Sequence, residues 1–218
     1  MMAQLSFDLP IRAARGRDDF FVSDANAVAV ALIDTMAQWP MGKLMILGPT
    51  GAGKTHLLDI WASDQDAQHW SPDWAHLPDA GARVAIDDVT AYAHDMAAQT
   101  ALFHLHNHIV ATGGALLFTA RIPIAQAGFT LPDLRSRLES TTVARIDAPD
   151  DTLLQAVMHK HFADRQVFPT PSAMAYLLRN IDRSFETVGR VVDALDRQSL
   201  NEGRKITRTM VKRVLADW

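Results

Sequence analysis

The stretch from residue 43 to 56 constrains the fold of this chain most, because it reads KLMILGPTGAGKTH. Its apolar run, Leu44 to Leu47, predicts a buried strand, and the spacing of apolar residues after Thr55 predicts a helix. Between them lies G-x-x-x-x-G-K-T, a P-loop in its required context, which binds phosphate through backbone N–H groups and the start of the helix. We therefore predict nucleotide contacts from Gly48, Pro49, Thr50, Gly51, Ala52, Gly53, Lys54, Thr55 and His56.

A second motif supplies the carboxylates that such a site needs. Residues 83–89 have an apolar strand pattern that runs into Asp87 and Asp88. At the carboxyl end of a parallel strand beside the P-loop, Asp87 would hold Mg²⁺ together with the Thr55 hydroxyl. Asp88 would lie where the attacking water is polarised, which is a catalytic position. The two motifs together predict ADP or ATP with Mg²⁺ as the bound group.

The composition is that of a compact protein, and it limits the classes of partner that the chain is expected to bind. Of the 218 residues, 48% are hydrophobic, which suffices for one large domain or for one domain with a small satellite. The net charge of −4 gives no general attraction to nucleic acid or acidic membranes, and the absence of cysteine excludes disulfides and thiolate zinc sites. Because we find neither a signal-peptide pattern nor a membrane-spanning apolar run, we expect a cytoplasmic location and no membrane partner.

The segment before the P-loop is a candidate for contact with the base of the nucleotide. A helix is predicted over residues 27–39, with Ser23 or Asp24 as its cap. The segment that precedes a P-loop domain often folds over the base of the bound nucleotide. We therefore expect Phe21 and Val22 to make that contact.

Beyond the P-loop, strand and helix patterns alternate up to about residue 150, and helical patterns follow. Strands are predicted over 67–70, 115–119 and 142–146, and helices over 99–111, 134–138, 152–163, 173–180, 185–200 and 207–218. This order predicts an α/β fold, a parallel P-loop sheet flanked by helices and followed by a small all-helical lid domain. The predicted units are a flexible tail over 1–18, a nucleotide-binding domain over 19–149 and a lid over 150–218.

Two further patterns have ordinary explanations. His104 and His108 have zinc-ligand spacing, but no third ligand follows with suitable spacing, so a polar helix face is favoured. The end of the chain is basic, and a solvated helix face is favoured there over contact with phosphate or an acidic partner. Its basic residues are Arg204, Lys205, Arg208, Lys212 and Arg213.

Four segments carry a family resemblance: DFFV at 19–22 with Asn26, GKTHL at 53–57, IDDV at 86–89 and LRSRL at 134–138. From residue 19 onward the chain resembles the ATPase core of the Hda/DnaA-like AAA+ family. This family contains the bacterial replication initiator DnaA and a short paralogue, Hda, that switches the initiator off. The resemblance implies an AAA+ fold, bound ADP or ATP, and a place in the bacterial cytoplasm.

The N-terminal hexapeptide QLSFDL, residues 4–9, adds to this resemblance. It is similar to the peptide by which Hda docks on the replicative sliding clamp. In that motif a glutamine comes first, and apolar side chains occupy the fourth and sixth positions. The resemblance therefore implies clamp contacts from Gln4, Leu5, Phe7 and Leu9.

The resemblance also implies roles for single residues. Asp87 corresponds to the metal ligand, and Asp88 to the catalytic-base position, where many AAA+ proteins have glutamate. Arg137 corresponds to the arginine that reaches into a partner subunit's site and neutralises charge on the transferred phosphoryl group. In the lid, Glu186 aligns with the arginine that relatives place on the nucleotide, and Arg190, one turn further on, could substitute for that arginine.

Two departures from the family pattern bear on hydrolysis. The relatives carry an acidic residue within a Thr-x-Asp-Arg-like pattern after one strand, whereas residues 119–123 here contain no acid. The lid position of Glu186 lacks the cation that would favour a γ-phosphate. We therefore expect weak intrinsic hydrolysis, no preference for ATP over ADP and an ADP-bound resting form.

The implied function is regulatory inactivation of the initiator, in which the chain docks on the clamp and stimulates ATP hydrolysis by DnaA. The expected partners are the clamp and DnaA, with self-association left open and DNA contacted only indirectly. Two alternatives remain. A helicase-loader-like AAA+ ATPase would contact single-stranded DNA, and a P-loop small-molecule kinase would need an acceptor pocket under a mobile lid.

Overall fold

The fold is built on a parallel sheet formed by the apolar runs of the sequence. The structure, a computed structural model, describes residues 20–216. Its strands are β1 (Lys43–Leu47), β2 (Gln68–His69), β3 (Arg83–Ile86), β4 (Ala115–Ala120) and β5 (Thr142–Arg145). They pair in the order β2-β3-β4-β1-β5, every pairing is parallel, and β1 lies between β4 and β5. The P-loop after β1 and the residues after β3 and β4 therefore meet at one edge of the sheet.

Helices follow the strands as predicted and cover both faces of the sheet. In chain order they are α1 (Ala27–Asp34), α2 (Lys54–Gln65), α3 (Met96–Ala111), α4 (Ile124–Ala127), α5 (Pro132–Glu139), α6 (Asp151–Asp164), α7 (Pro171–Asn180), α8 (Phe185–Glu202) and α9 (Arg208–Ala216). Leu44 and Ile46 of β1 belong to a hydrophobic cluster with α1 and α2, and Met45 and Leu47 to another with α3 and α5. Every β1 residue is buried, which is typical of a parallel strand covered on both faces.

The helices after residue 150 have a hydrophobic core of their own. Its buried residues include Leu154, Met158, Phe162, Leu177, Val188, Val191, Val192, Leu195, Ile206, Met210 and Val211. All members of this cluster belong to α6–α9 or to the loops between them. The predicted α/β sheet followed by a helical region is thus confirmed.

The helix predicted over residues 27–39 is too long. α1 ends at Asp34, and 3-10 turns follow at Met36–Gln38 and Pro40–Gly42. The Thr35 hydroxyl and the Trp39 indole N–H both donate to the Leu32 carbonyl, at 3.0 and 2.7 Å, and so compete with a continuing helix.

The start of α1 also differs from the prediction. Asn26, not Ser23 or Asp24, is the N-cap residue, and it is 2% exposed. Its side chain accepts a hydrogen bond from the Ser23 N–H and donates one to the Phe21 carbonyl, both at 2.9 Å. Asn26 therefore fixes the backbone of the segment immediately ahead of α1.

None of the helices between residues 20 and 216 combines the length and the apolar character that a membrane crossing requires.

Candidate nucleotide-binding site

The P-loop turns at the carboxyl edge of the sheet through two glycines with positive φ. Gly51 has φ 73° and Gly53 φ 90°, conformations that favour glycine. α2 then begins at Lys54, so its N-terminal N–H groups face the loop. A cavity of about 290 Å³ opens here, large enough for phosphate groups. Its lining residues are Thr50, Gly51, Gly53, Lys54, Thr55, His56, Asp87, Asp88, Thr119, Arg121, Phe185 and Glu186.

Lys54 is held inside the loop. Its side chain is 7% exposed, and Nζ donates to the Pro49 carbonyl at 2.8 Å. Burial lowers the pKa of this ammonium, while the carboxylates of Asp88 and Asp87 partly oppose the shift. A buried cation at the start of a helix is suited to bind the outer phosphates of a nucleotide.

Thr55 and Asp87 meet at the place expected for a metal ion. The Thr55 hydroxyl donates to Asp87 Oδ2 at 2.9 Å, and the Thr119 hydroxyl donates to Oδ1 at 2.5 Å. Hydroxyl and carboxylate oxygens are the ligands that Mg²⁺ prefers. The Thr55–Asp87 pair therefore fits this ion, and Thr119 orients the carboxylate.

Asp88 is engaged on both carboxylate oxygens. Thr90 Oγ1 donates to Oδ1 at 2.5 Å, and the Arg121 guanidinium pairs with Oδ2 at 2.8 Å. The backbone is left-handed at Asp88, with φ 43°, and its N–H donates to Thr119 Oγ1 at 2.6 Å. The carboxylate at the expected base position is thus held in an ion pair.

The lid helix α8 docks directly on the P-loop. The Phe185 N–H donates to the Gly51 carbonyl at 2.8 Å, and the Phe185 ring lies over Gly53. A Cβ atom added to Gly51 would come within 1.9 Å of the Ser184 hydroxyl. Glu186 follows in the first turn of α8 and lines the phosphate cavity, whereas Arg190 is not among its lining residues.

A second cavity, of about 330 Å³, adjoins the first and shares His56 and Phe185 with it. Its remaining lining residues are Phe20, Phe21, Val157, Lys160, His161 and Asp164. Phe20 stacks on His56, with ring centroids 5.6 Å apart. Of the two residues predicted to contact the base, Phe21 lines this cavity, and Val22 packs instead against the core near α2.

Arg137 lies near the opposite edge of the sheet from the P-loop. Its guanidinium carbon is 5.1 Å from the centre of the Phe103 ring. Its carbonyl accepts hydrogen bonds from Lys43 Nζ at 3.2 Å and from the hydroxyls of Ser140 and Thr141 at 2.9 and 3.1 Å. Arg137 therefore takes no part in the P-loop cavity of its own chain.

The other end of α5 is also fixed by a buried polar side chain. Gln99 is 0% exposed, and its Oε1 accepts from the N–H groups of Thr130 and Leu131 at 3.1 and 2.9 Å. Its Nε2 donates to the Ala93 carbonyl at 2.7 Å. The short helix that carries Arg137 is thus held at both ends.

Several site residues were not predicted. Phe20, Ser184 and Phe185 come to the P-loop through chain packing that no local motif reports. Thr119 and Arg121 lie in the stretch that departs from the family pattern, and their contacts with Asp87 and Asp88 depend on the order of the strands. The residues predicted to bind the clamp, Gln4, Leu5, Phe7 and Leu9, lie outside the described residues.

The two histidines with zinc-ligand spacing make ordinary contacts within the fold. His108 Nε2 lies 2.7 Å from the Pro78 carbonyl, and His104 contacts the Phe103 ring edge-on. Within residues 20–216, no cluster of three or more metal-ligating side chains occurs. The favoured interpretation of an ordinary helix face agrees with these contacts.

Known proteins resemble both the lid and the chain as a whole. Residues 150–215 match the family model of the Hda lid domain. Domain III of the DnaA replication initiation protein from Thermotoga maritima superposes with a TM-score of 0.78 at 18% identity, covering 91% of this chain and 94% of that one.

Longer AAA+ chains share the same fold. AMPPCP-bound DnaA from Aquifex aeolicus gives a TM-score of 0.67 at 16% identity, and the match covers 89% of this chain and 66% of that one. The Holliday junction branch migration motor RuvB from Thermotoga maritima gives a TM-score of 0.62 at 16% identity, covering 80% of this chain and 61% of that one. Residues 150–215 thus match the Hda lid domain, and the chain as a whole shares the fold of DnaA domain III.

Proposed function

We propose that this chain is a nucleotide-binding AAA+ regulator that docks on the sliding clamp and stimulates ATP hydrolysis by DnaA. The observation that carries the proposal is the docking of an Hda-type lid on a P-loop cavity. Within that cavity the Asp88 carboxylate is already paired with Arg121. Such a site is suited to hold a nucleotide rather than to turn it over.

The nucleotide would occupy both cavities. Its phosphates lie against Lys54 and the P-loop N–H groups, and its base lies in the second cavity between Phe21 and α6. The chemistry of that cavity supports this placement, because it combines aromatic rings with the polar groups of Lys160, His161 and Asp164. AMPPCP in Aquifex aeolicus DnaA shows that a protein of the same fold holds a triphosphate analogue.

Thr55 and Asp87 would hold Mg²⁺, which when bound neutralises phosphate charge. Thr119 orients the Asp87 carboxylate through its hydroxyl. Asp88 would have to leave Arg121 before it could accept a proton from water. Intrinsic hydrolysis is therefore slow in this proposal.

Glu186 sets the nucleotide preference. It lines the phosphate cavity, where the cations are Lys54 and Arg121 and the other carboxylates are Asp87 and Asp88. A further carboxylate at this place repels the extra charge of a γ-phosphate. The resting form is therefore the ADP complex.

Arg137 acts on the partner. It lies away from its own P-loop cavity, on a helix held at both ends. An arginine presented in this way can stabilise the transition state in the site of an adjacent ATPase subunit, which is commonly worth several orders of magnitude in rate. In this proposal that subunit is ATP-bound DnaA.

The proposal is tested by reconstitution. ATP-bound DnaA is mixed with clamp-loaded DNA and either the wild-type chain or a variant with Gln4, Phe7 and Leu9 replaced by alanine. We expect the wild type to accelerate hydrolysis and the variant to lose both acceleration and co-elution with the clamp, because short peptides bind through a few anchors. Equal co-elution of the variant, or equal rates with and without the chain, would contradict the proposal. Turnover of nucleosides by the chain alone would instead support the kinase alternative.

A further inference from the structure

Charge in the lid is divided between two pairs of helices. α6 and α8, which approach the P-loop side, together hold six acidic and three basic residues, histidines apart. α7, α9 and the loop 203–207 contain no acidic residue. Their basic residues are Arg179, Arg204, Lys205, Arg208, Lys212 and Arg213. The net charge of −4 for the whole chain makes this basic face a local feature, not a consequence of composition.

The centre of the basic face is an aromatic ring between two cations. Arg208 and Lys212 of α9 both lie over the ring of Tyr176 on α7, at 5.2 and 5.6 Å from its centre. Such contacts hold a cation beside an aromatic ring without neutralising its charge. The two cations and the ring therefore form one contiguous surface across α7 and α9.

Most of the charge on this face is uncompensated. Arg213 pairs with Glu202 of α8, and the charge of Arg204 also acts on this carboxylate. Arg204, Lys205, Arg208 and Lys212 are exposed, and none of the four forms a salt bridge within the described part of the chain. Four exposed cations without salt-bridge partners repel one another, which is a cost that an anionic ligand would remove.

We propose that this face binds nucleic acid through the phosphate backbone. Arg208 and Lys212 are separated by about 6 Å along the helix axis, and the 203–207 loop adds two more cations. They form a row and not a single pocket, so an extended polyanion fits better than one phosphate ion. Arginine and lysine are also the side chains by which proteins contact the phosphate backbone without reading its sequence.

This inference goes beyond the proposed function and is carried by a different part of the molecule. The sequence alone favours a solvated helix face here and only indirect contact with DNA. The segregation of charge between the helices of the lid is the added observation. It gives the chain a direct contact with DNA that does not involve the P-loop or Arg137.

The test is binding of a fluorescently labelled DNA duplex, measured by anisotropy at several salt concentrations. Four phosphate contacts predict that affinity falls roughly 150-fold between 50 and 200 mM salt. The double variant Arg208→Ala/Lys212→Ala should bind more weakly and lose only roughly 12-fold over the same range. ADP titration and a melting curve on each variant establish that it is folded.

A matched control removes the same charge elsewhere. Arg145→Ala/Arg197→Ala changes two exposed cations outside the face, and it should keep the wild-type affinity and salt dependence. The inference is overturned if the control variant loses as much binding as Arg208→Ala/Lys212→Ala, or if the latter binds duplex as the wild type does. Competition by polyglutamate as effective as that by unlabelled duplex would also overturn it, because the face would then fit an acidic protein.

Discussion

Burial of His106 makes the stability of the sheet domain depend on pH. The side chain is 1% exposed, and neither ring nitrogen has a hydrogen-bond partner among the described residues. Burial and the nearby charge of Lys43, with a smaller effect of Arg137, lower its pKa from 6.5 to about 4. The imidazole is therefore neutral in the folded protein over a range in which it is protonated in the unfolded chain.

The sign and size of the effect follow from linkage. Below pH 6.5 the unfolded chain binds a proton at His106 that the folded chain does not, so stability falls as the pH falls towards 4. Over the interval from pH 7.5 to pH 5 this group should cost about 2 kcal/mol of unfolding free energy. This loss of stability comes from His106 alone and should be absent when that residue is replaced.

Urea unfolding of wild type and His106→Leu at pH 7.5 and pH 5 measures this contribution. Leucine is apolar, similar in size and does not titrate, so the variant should lose about 2 kcal/mol less than wild type between the two pH values. His104→Gln, which removes an exposed imidazole two residues away, is the matched control and should behave as wild type. Identical pH dependence in wild type and His106→Leu would refute the reasoning.

Three further predictions concern the nucleotide site. Lys54→Ala should weaken ADP binding by roughly tenfold or more in calorimetry, because a charge-assisted contact with phosphate is lost. Glu186→Arg should raise the ratio of ATP to ADP affinity about tenfold, or 1.4 kcal/mol, in paired titrations; a wild type that already prefers ATP tenfold would contradict the role of Glu186. Gly51→Ala should lower both the melting temperature and ADP affinity, because its Cβ would clash with Ser184 and the residue has φ 73°; unchanged values would show that the lid docks elsewhere.

The features that sequence predicted well are those that adjacent residues determine. The P-loop is a local motif between a strand and a helix, and the β1–loop–α2 unit forms as predicted. The strand ending in Asp87 was also predicted, since parallel strands bring their carboxyl ends to one edge. The fold class followed from the order of these elements.

The features that sequence missed depend on contacts between distant segments. The pairing of Arg121 with Asp88 needs β3 and β4 to be neighbours, which the linear pattern does not state. Phe20 stacks on His56, a residue far along the chain, and the Asn26 side chain holds the neighbouring Phe21 carbonyl. The early end of α1 is a competition between side chains and the backbone for one carbonyl, which hydrophobic periodicity does not register.

The central claim is that the chain acts on a partner through Arg137. The most direct measurement is the rate of ATP hydrolysis by DnaA on clamp-loaded DNA in the presence of wild type, Arg137→Ala or Arg135→Ala. Arg135 lies on the same helix and pairs with Glu139, so its variant is the matched control. We expect Arg137→Ala to reduce stimulation by several orders of magnitude while its ADP and clamp affinities and its melting temperature stay at wild-type values, and Arg135→Ala to stimulate as wild type does. Full stimulation by Arg137→Ala would contradict the account.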